Sequence, residues 1–259
     1  MKFVPSEGAQ LRCEYSASDA PALLLLNALG TRLQMWDDQV GACGKRYELV
    51  RYDTRGHGES TIGESQALTL DQLPRDAIAV LDSCGIARAH LCGISMGGMT
   101  AMHLARKWPD RVHTLALCNT SAHMPPKDAW DARIKTVIGE GMSAVAPVII
   151  QRWFTPAFRQ ATSESVERIR QMLLGTDPRG YAACCAAIRD MDLRDSLRSI
   201  TARTLVIAGS KDLATPPSHA EFIASHIAGA KLVTLESAHL SNIEQTREFN
   251  ATLLEFLAG

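Results

Sequence analysis

The stretch Leu91-Cys92-Gly93-Ile94-Ser95-Met96-Gly97-Gly98-Met99 decides the fold. An apolar run at 89–92 reads as a strand, and 99–105 reads as a helix. Between them, Gly93-Ile94-Ser95-Met96-Gly97 has the Gly-x-Ser-x-Gly spacing of a nucleophile elbow, a sharp strand-to-helix turn that exposes a serine hydroxyl. The serine of such a turn occupies a sparsely populated backbone region, and a Cβ on either flanking glycine position would strike the neighbouring strand or helix. Five residues are few enough to match by accident. Their placement between a strand and a helix gives them weight.

Working outward, short apolar runs rich in Leu, Val and Ile recur at 22–26, 48–52, 89–92, 114–118, 204–208 and 231–235. Runs of this kind fit strands buried on both faces of a parallel sheet. Helix-period segments at 73–84, 219–227 and 248–257 alternate with them, and a weaker alternation in the first twenty residues suggests a hairpin at a sheet edge. The series predicts an α/β fold with a mostly parallel, doubly wound sheet. It breaks between about 121 and 200, where helical segments at 130–138, 143–153, 163–174 and 181–191 occur without a convincing strand. Residues 1–121 and 200–259 therefore read as one core domain, with 122–199 a helical cap, or lid, inserted over the strand ends.

Composition excludes several function classes. A chain of 259 residues with a net charge of −1 suits one large α/β domain and carries no basic block for nucleic acid or an anionic membrane surface. The apolar run at 21–26 is far too short to span a bilayer, and the first residues lack the long apolar segment of a secretory signal. Seven cysteines, none in a Cys-x-x-Cys pair, fit buried thiols in a reducing compartment, so a cytoplasmic location is expected. The adjacent Cys184 and Cys185 read as helix packing. No His/Cys cluster has metal-ligand spacing, and neither a metal nor an organic cofactor is expected. A monomer and a weak homodimer both fit.

A serine hydroxyl is a poor nucleophile that needs an adjacent base, itself oriented by an acid. On an elbow of this type the acid and then the histidine follow the serine in the chain. Gly209-Ser210-Lys211-Asp212 puts Asp212 in the loop after the strand at 204–208, and Glu236-Ser237-Ala238-His239 puts His239 in the loop after 231–235. Both loops belong at the carboxyl ends of the strands, where ligand chemistry in open α/β sheets resides. His219 and His226 fall on a helix, while Asp190, Asp192 and Asp195 read as caps or surface pairs. After the strand at 114–118, another strand end where an acid could sit, this chain has Asn119. The oxyanion donors expected are the backbone N–H of Met96 and, from the loop Asn27-Ala28-Leu29-Gly30, that of Leu29.

The segment Asp53-Thr54-Arg55-Gly56-His57-Gly58-Glu59-Ser60 looks like the D-x-R-G-H-G-x-S segment of α/β-hydrolases, and with the elbow and the two loops the resemblance spans essentially the whole chain. It implies the α/β-hydrolase fold with a helical lid between strands, and Asp53, Arg55 and His57 as scaffolding near the site. Within that superfamily the sequence is most similar to 3-oxoadipate enol-lactonases of bacterial aromatic catabolism, through Asn27-Ala28-Leu29-Gly30-Thr31, the elbow segment, and Tyr181-Ala182-Ala183-Cys184-Cys185-Ala186-Ala187-Ile188-Arg189-Asp190-Met191-Asp192. Many α/β-hydrolases have His-Gly where this chain has Asn27-Ala28, a difference that suits the lactonase subgroup. The resemblance implies hydrolysis of a cyclic enol ester through a Ser95 acyl-enzyme. The implied substrate is a small lactone with a carboxylate arm, for which Arg133 and Arg152, beside Trp130 and Trp153, are the candidate partners. Rival readings keep the serine chemistry on another substrate, as a carboxylesterase, a carbon–carbon hydrolase of meta-cleavage products or a perhydrolase. Another class again would be a ligand receptor of the same fold. Dehalogenases and epoxide hydrolases place Asp at the elbow, where this chain has Ser95.

Overall fold

Every residue of Ala22–Leu26 is buried, as expected for a strand with sheet neighbours on both edges and helices on both faces. The computed structural model describes residues 1–63 and 68–259. Its strands are β1 (Lys2–Ser6), β2 (Ala9–Tyr15), β3 (Ala22–Leu26), β4 (Glu48–Tyr52), β5 (Ala89–Ile94), β6 (Val112–Cys118), β7 (Arg203–Gly209) and β8 (Lys231–Leu235). They form one sheet in the order β1-β2-β4-β3-β5-β6-β7-β8. The β1–β2 hairpin and the β2–β4 pair are antiparallel, and the remaining pairs are parallel. The weak N-terminal alternation is thus an edge hairpin. The run at 231–235, read as buried on both faces, is instead the other edge of the sheet, and only Leu235 in it is buried.

The helices are α1 (Asp37–Cys43), α2 (Gln72–Ser83), α3 (Met96–Lys107), α4 (Lys127–Glu140), α5 (Met142–Trp153), α6 (Pro156–Ala161), α7 (Ser163–Leu174), α8 (Pro178–Asp190), α9 (Pro217–His226), α10 (Ser241–Glu244) and α11 (Thr246–Ala258). Helix α3 packs on β3, β5 and β6, with α2 beside it; α9 covers β7 and β8, and α1 packs against α11. Five helices, α4 to α8, lie between β6 and β7 and pack mainly on one another. A close approach fixes them to the rest of the chain: a Cβ on Gly56 would lie 2.5 Å from Gly180 Cα, and one on Gly180 would lie 2.3 Å from Gly56 O. Two glycines let the start of α8 rest directly on the Asp53–Ser60 loop.

That loop is scaffolding. The Asp53 carboxylate accepts hydrogen bonds from the N–H groups of Leu33 (2.7 Å) and Glu59 (3.0 Å), and buried Arg55 pairs with Asp76 at 2.6 Å. His57 Nδ1 donates to Arg55 O at 3.1 Å, and burial lowers the pKa of its ring to about 4. Cys184 and Cys185 are buried in α8, in keeping with a packing role. Among the described residues no helix is long and apolar enough to cross a membrane, and no group of His, Cys, Asp and Glu could hold a metal ion.

The elbow shows why its glycines are required. A Cβ on Gly93 would lie 2.3 Å from Gly97 O, and one on Gly97 would lie 2.1 Å from Leu26 O. Backbone atoms cannot swing aside as side-chain ends can. Gly97→Ala should therefore lower stability by about 1–3 kcal/mol or more, read from the urea midpoint. Gly139→Ala in α4, where a Cβ meets nothing within 4 Å, should leave the midpoint unchanged or raise it. Equal midpoints for the two variants would contradict this account.

Candidate active site

Ser95 sits between β5 and α3 with φ 55° and ψ −118°, a strained conformation for a residue with a side chain. Its neighbours hold it there. Ser95 N donates to Cys118 O at 3.0 Å, Thr120 Oγ1 donates to Ser95 O at 2.7 Å, and Met99 N donates to the same carbonyl at 3.1 Å. The hydroxyl is left free: among the described residues Ser95 Oγ has no hydrogen-bond partner. Met96 opens α3, so its N–H has no acceptor within the helix and carries the positive end of the helix dipole.

Asp212 follows β7 and is almost wholly buried. One oxygen, Oδ1, accepts from the N–H groups of Ala214 (2.7 Å) and Thr215 (2.9 Å). The other, Oδ2, accepts from His239 Nδ1 (2.8 Å), Thr215 Oγ1 (2.8 Å) and Asn119 Nδ2 (3.0 Å). Burial by itself would raise the pKa of this carboxyl. The His239 ring, by charge and hydrogen bond, together with the Thr215 and Asn119 donors, outweighs burial and holds it at about 2. An ionised carboxylate can only accept, so His239 carries its proton on Nδ1 and leaves Nε2 as the basic nitrogen.

Ser95 and His239 line a common cavity of about 560 Å³, mouth included. Leu29, Trp130, Arg133, Arg152 and Trp153 line it too. The structure thus brings the candidate nucleophile and base to one space, with the acid behind the histidine. Among the described residues the Leu29 N–H has no acceptor. Its loop is pinned by Asn27, which donates from Nδ2 to Tyr52 O at 2.7 Å and accepts from Trp36 Nε1 at 3.0 Å. The Asn27-Ala28 sequence therefore has a structural use: a buried amide ties the loop after β3 to β4 and to Trp36.

The arginines of the insertion differ in their surroundings. Arg168, Arg170, Arg179, Arg189 and Arg194 each pair with a carboxylate. Among the described residues Arg133 and Arg152 have none within 4 Å, although both face the cavity. The Arg133 guanidinium lies 4.9 Å from the centre of the Trp130 ring, and Arg152 donates to Leu213 O. Burial, and then the neighbouring Arg133 cation, lower the pKa of Arg152. Two guanidiniums without a carboxylate partner among the described residues thus face a chamber lined largely by apolar side chains.

His219 and His226 lie on α9 away from this cavity, and Asp190 and Asp192 form surface pairs with Arg189 and Arg194. Residues that sequence reading did not single out for the site include Thr215, which lines the cavity, Tyr181, which it quoted only within the resemblance segment, and Asn119, which it saw only as the lack of a carboxylate after β6. Asn119, at φ 44°, donates to Asp212 and to Ala238 O (3.1 Å) and accepts from Ser241 Oγ (2.6 Å). It bridges both candidate catalytic loops.

Fold and site together define an α/β-hydrolase, and the chain belongs to the family described by the alpha/beta hydrolase fold, which matches residues 21–246. Among its relatives, 3-oxoadipate enol-lactonase 2 of Acinetobacter baylyi is 40% identical over 238 residues, covering 91% of this chain and 88% of that one. The crystal structure of the enol-lactonase from Burkholderia xenovorans superposes with a TM-score of 0.96 at 38% identity, over 99% of this chain and 100% of that one. A hydrolase from Pseudomonas aeruginosa also gives a TM-score of 0.96, at 42% identity over 100% of this chain and 98% of that one.

Because the pKa of Asp212 is depressed from 3.8 to about 2, the unfolded chain binds its proton first on acidification. The stabilisation is complete above about pH 4 and is lost as the pH falls toward 2. Across that window the wild type should lose about 2 kcal/mol more than Asp212→Asn in urea unfolding. Parallel stability curves for the two proteins would contradict the assignment.

Proposed function

We propose that the protein is a 3-oxoadipate enol-lactonase, in which Ser95, His239 and Asp212 form the catalytic triad. The observation that carries the substrate class is the pair of guanidiniums, Arg133 and Arg152, that have no carboxylate partner among the described residues and face the cavity that also holds Ser95 and His239. A neutral ester has no use for them; a lactone with a carboxylate arm does. The 40% identity to a lactonase over nearly the whole chain points the same way.

Ser95 Oγ attacks the lactone carbonyl carbon while His239 Nε2 takes its proton. Asp212 holds the ring by Nδ1 and offsets the positive charge that the ring acquires. The N–H groups of Leu29 and Met96 receive the developing oxyanion. Collapse breaks the ring carbon–oxygen bond, and the enol oxygen leaves with the proton from His239. The leaving group stays tethered to the acyl chain; its tautomerisation to a ketone makes reclosure unfavourable. A water molecule then gives a proton to His239 and attacks the acyl carbon. Ser95 recovers its proton as the product, 3-oxoadipate, departs. We further propose that residues 1–121 and 200–259 act as the catalytic core and that 122–199 form the cap that selects the acyl group. In this reading the reaction belongs to bacterial breakdown of protocatechuate and catechol.

Two expectations follow from these roles. Ser95→Ala should reduce enol-lactone turnover by about 10⁴-fold or more with an unchanged circular dichroism spectrum; ordinary turnover by that variant would exclude the mechanism. Arg133→Ala and Arg152→Ala should each reduce kcat/KM for the enol-lactone by about ten- to a hundredfold, and that for p-nitrophenyl acetate by much less. Equal losses on both substrates would remove the carboxylate role, and preference for a meta-cleavage product would displace the substrate itself.

A further inference from the structure

The loop that carries His239 is tied by backbone hydrogen bonds to the helical insertion as well as to its own strand. Helix α5 ends at Trp153, whose carbonyl is one of those a helix C-terminus leaves without a partner. It accepts from the N–H groups of His239 (3.1 Å) and Leu240 (3.2 Å). The Trp153 ring stacks on the His239 ring with centroids 6.3 Å apart and 28° between planes. Two residues on, Thr155 caps α6 by accepting from Phe158 N.

Glu244, the last residue of α10, closes this seam. Its Oε2 accepts from Ala238 N at 3.0 Å and from Thr155 N at 3.3 Å, and its Oε1 accepts from the Thr155 hydroxyl. One carboxylate thus joins the residue before His239 to the residue that starts α6. Among the described residues Glu244 pairs with no arginine, and it is not one of those that line the cavity.

We propose that Glu244 is a positioning residue, holding the His239 imidazole in its reactive orientation by clamping the histidine loop to the insertion. The proposal rests on the reading of His239 as the base that activates Ser95. It gives the insertion a part in catalysis as well as in substrate choice, because Trp153 lines the cavity with its side chain and anchors His239 with its carbonyl.

The test compares wild type, Glu244→Ala, Glu244→Gln and Thr155→Val in two assays: the rate at which a fluorophosphonate labels Ser95, and steady-state hydrolysis of the enol-lactone and p-nitrophenyl acetate. Glu244→Ala should slow labelling, and lower kcat on both esters, by about ten- to a hundredfold with KM changed little, since misplacing a catalytic group costs that much. Glu244→Gln should recover to within about threefold, its carbonyl accepting from both N–H groups while its amide donates to the Thr155 hydroxyl. A purely structural role would lower the melting temperature but leave labelling at 20 °C unchanged, and that result overturns the proposal. If Glu244→Ala does not fold, Thr155→Val, which also loses the α6 cap, decides at a temperature well below its melting transition: slowed labelling there supports the clamp, and wild-type labelling overturns it. A wild type that labels at Ser95 yet leaves the enol-lactone intact fails only the substrate reading, and the labelling comparison still tests Glu244.

Discussion

Helix α3 begins so close to the end of β3 that a Cβ on Gly97 would lie 2.1 Å from the Leu26 carbonyl oxygen, and much of the site depends on that approach. It forces Ser95 into a left-handed turn, which lifts the hydroxyl out of the sheet and leaves the Met96 N–H free at the head of the helix. It also brings the helix against the loop that follows β3, where Asn27 fixes the backbone that presents Leu29. Strain of this kind costs about 1–3 kcal/mol. The hydrogen bonds from Ser95 N to Cys118 and from Thr120 to Ser95 O hold it in place, so the geometry exists before any substrate arrives.

Charge is distributed around this turn with opposite rules on its two sides. Behind His239 the Asp212 anion is buried and given every donor it can use, which keeps it ionised and ties the ring through Nδ1. In front of His239, Arg133 and Arg152 face the cavity with no carboxylate partner among the described residues, while Arg189 and Arg194 of the insertion are paired on the surface. In the proposed mechanism the satisfied anion serves the chemistry. The two cations fit the carboxylate arm of the proposed substrate, and burial, then the Arg133 cation, lower the pKa of Arg152.

The parallel strands β3, β5, β6 and β7 were legible in the sequence through their short apolar runs, whereas β2, also paired on both edges, showed only a weak alternation. The order Ser95, Asp212, His239 followed from strand ends alone. The edge strand β8 misled, since Lys231–Leu235 has the composition of a buried strand but lies at the border of the sheet. Short helices escaped for lack of length: α6 and α10 span too few residues to show a period. Polar partners were invisible for another reason. Asn119 meets Asp212 across 93 residues of chain, and Thr155 meets Glu244 across 89; no local pattern announces either contact. Arg133 and Arg152 were found by resemblance and by chemistry, and only coordinates separate them from the arginines that are merely solvated.

The central claim is that Ser95 opens a lactone ring and keeps both of its halves. Rapid acid quenching of the enzyme with excess enol-lactone, followed by mass spectrometry of its peptides, tests this directly. The account predicts an adduct on Ser95 with the full mass of the lactone, because the leaving group remains tethered to the acyl chain, and none in Ser95→Ala. Full turnover with no adduct on Ser95, or with an adduct on another residue, would contradict it.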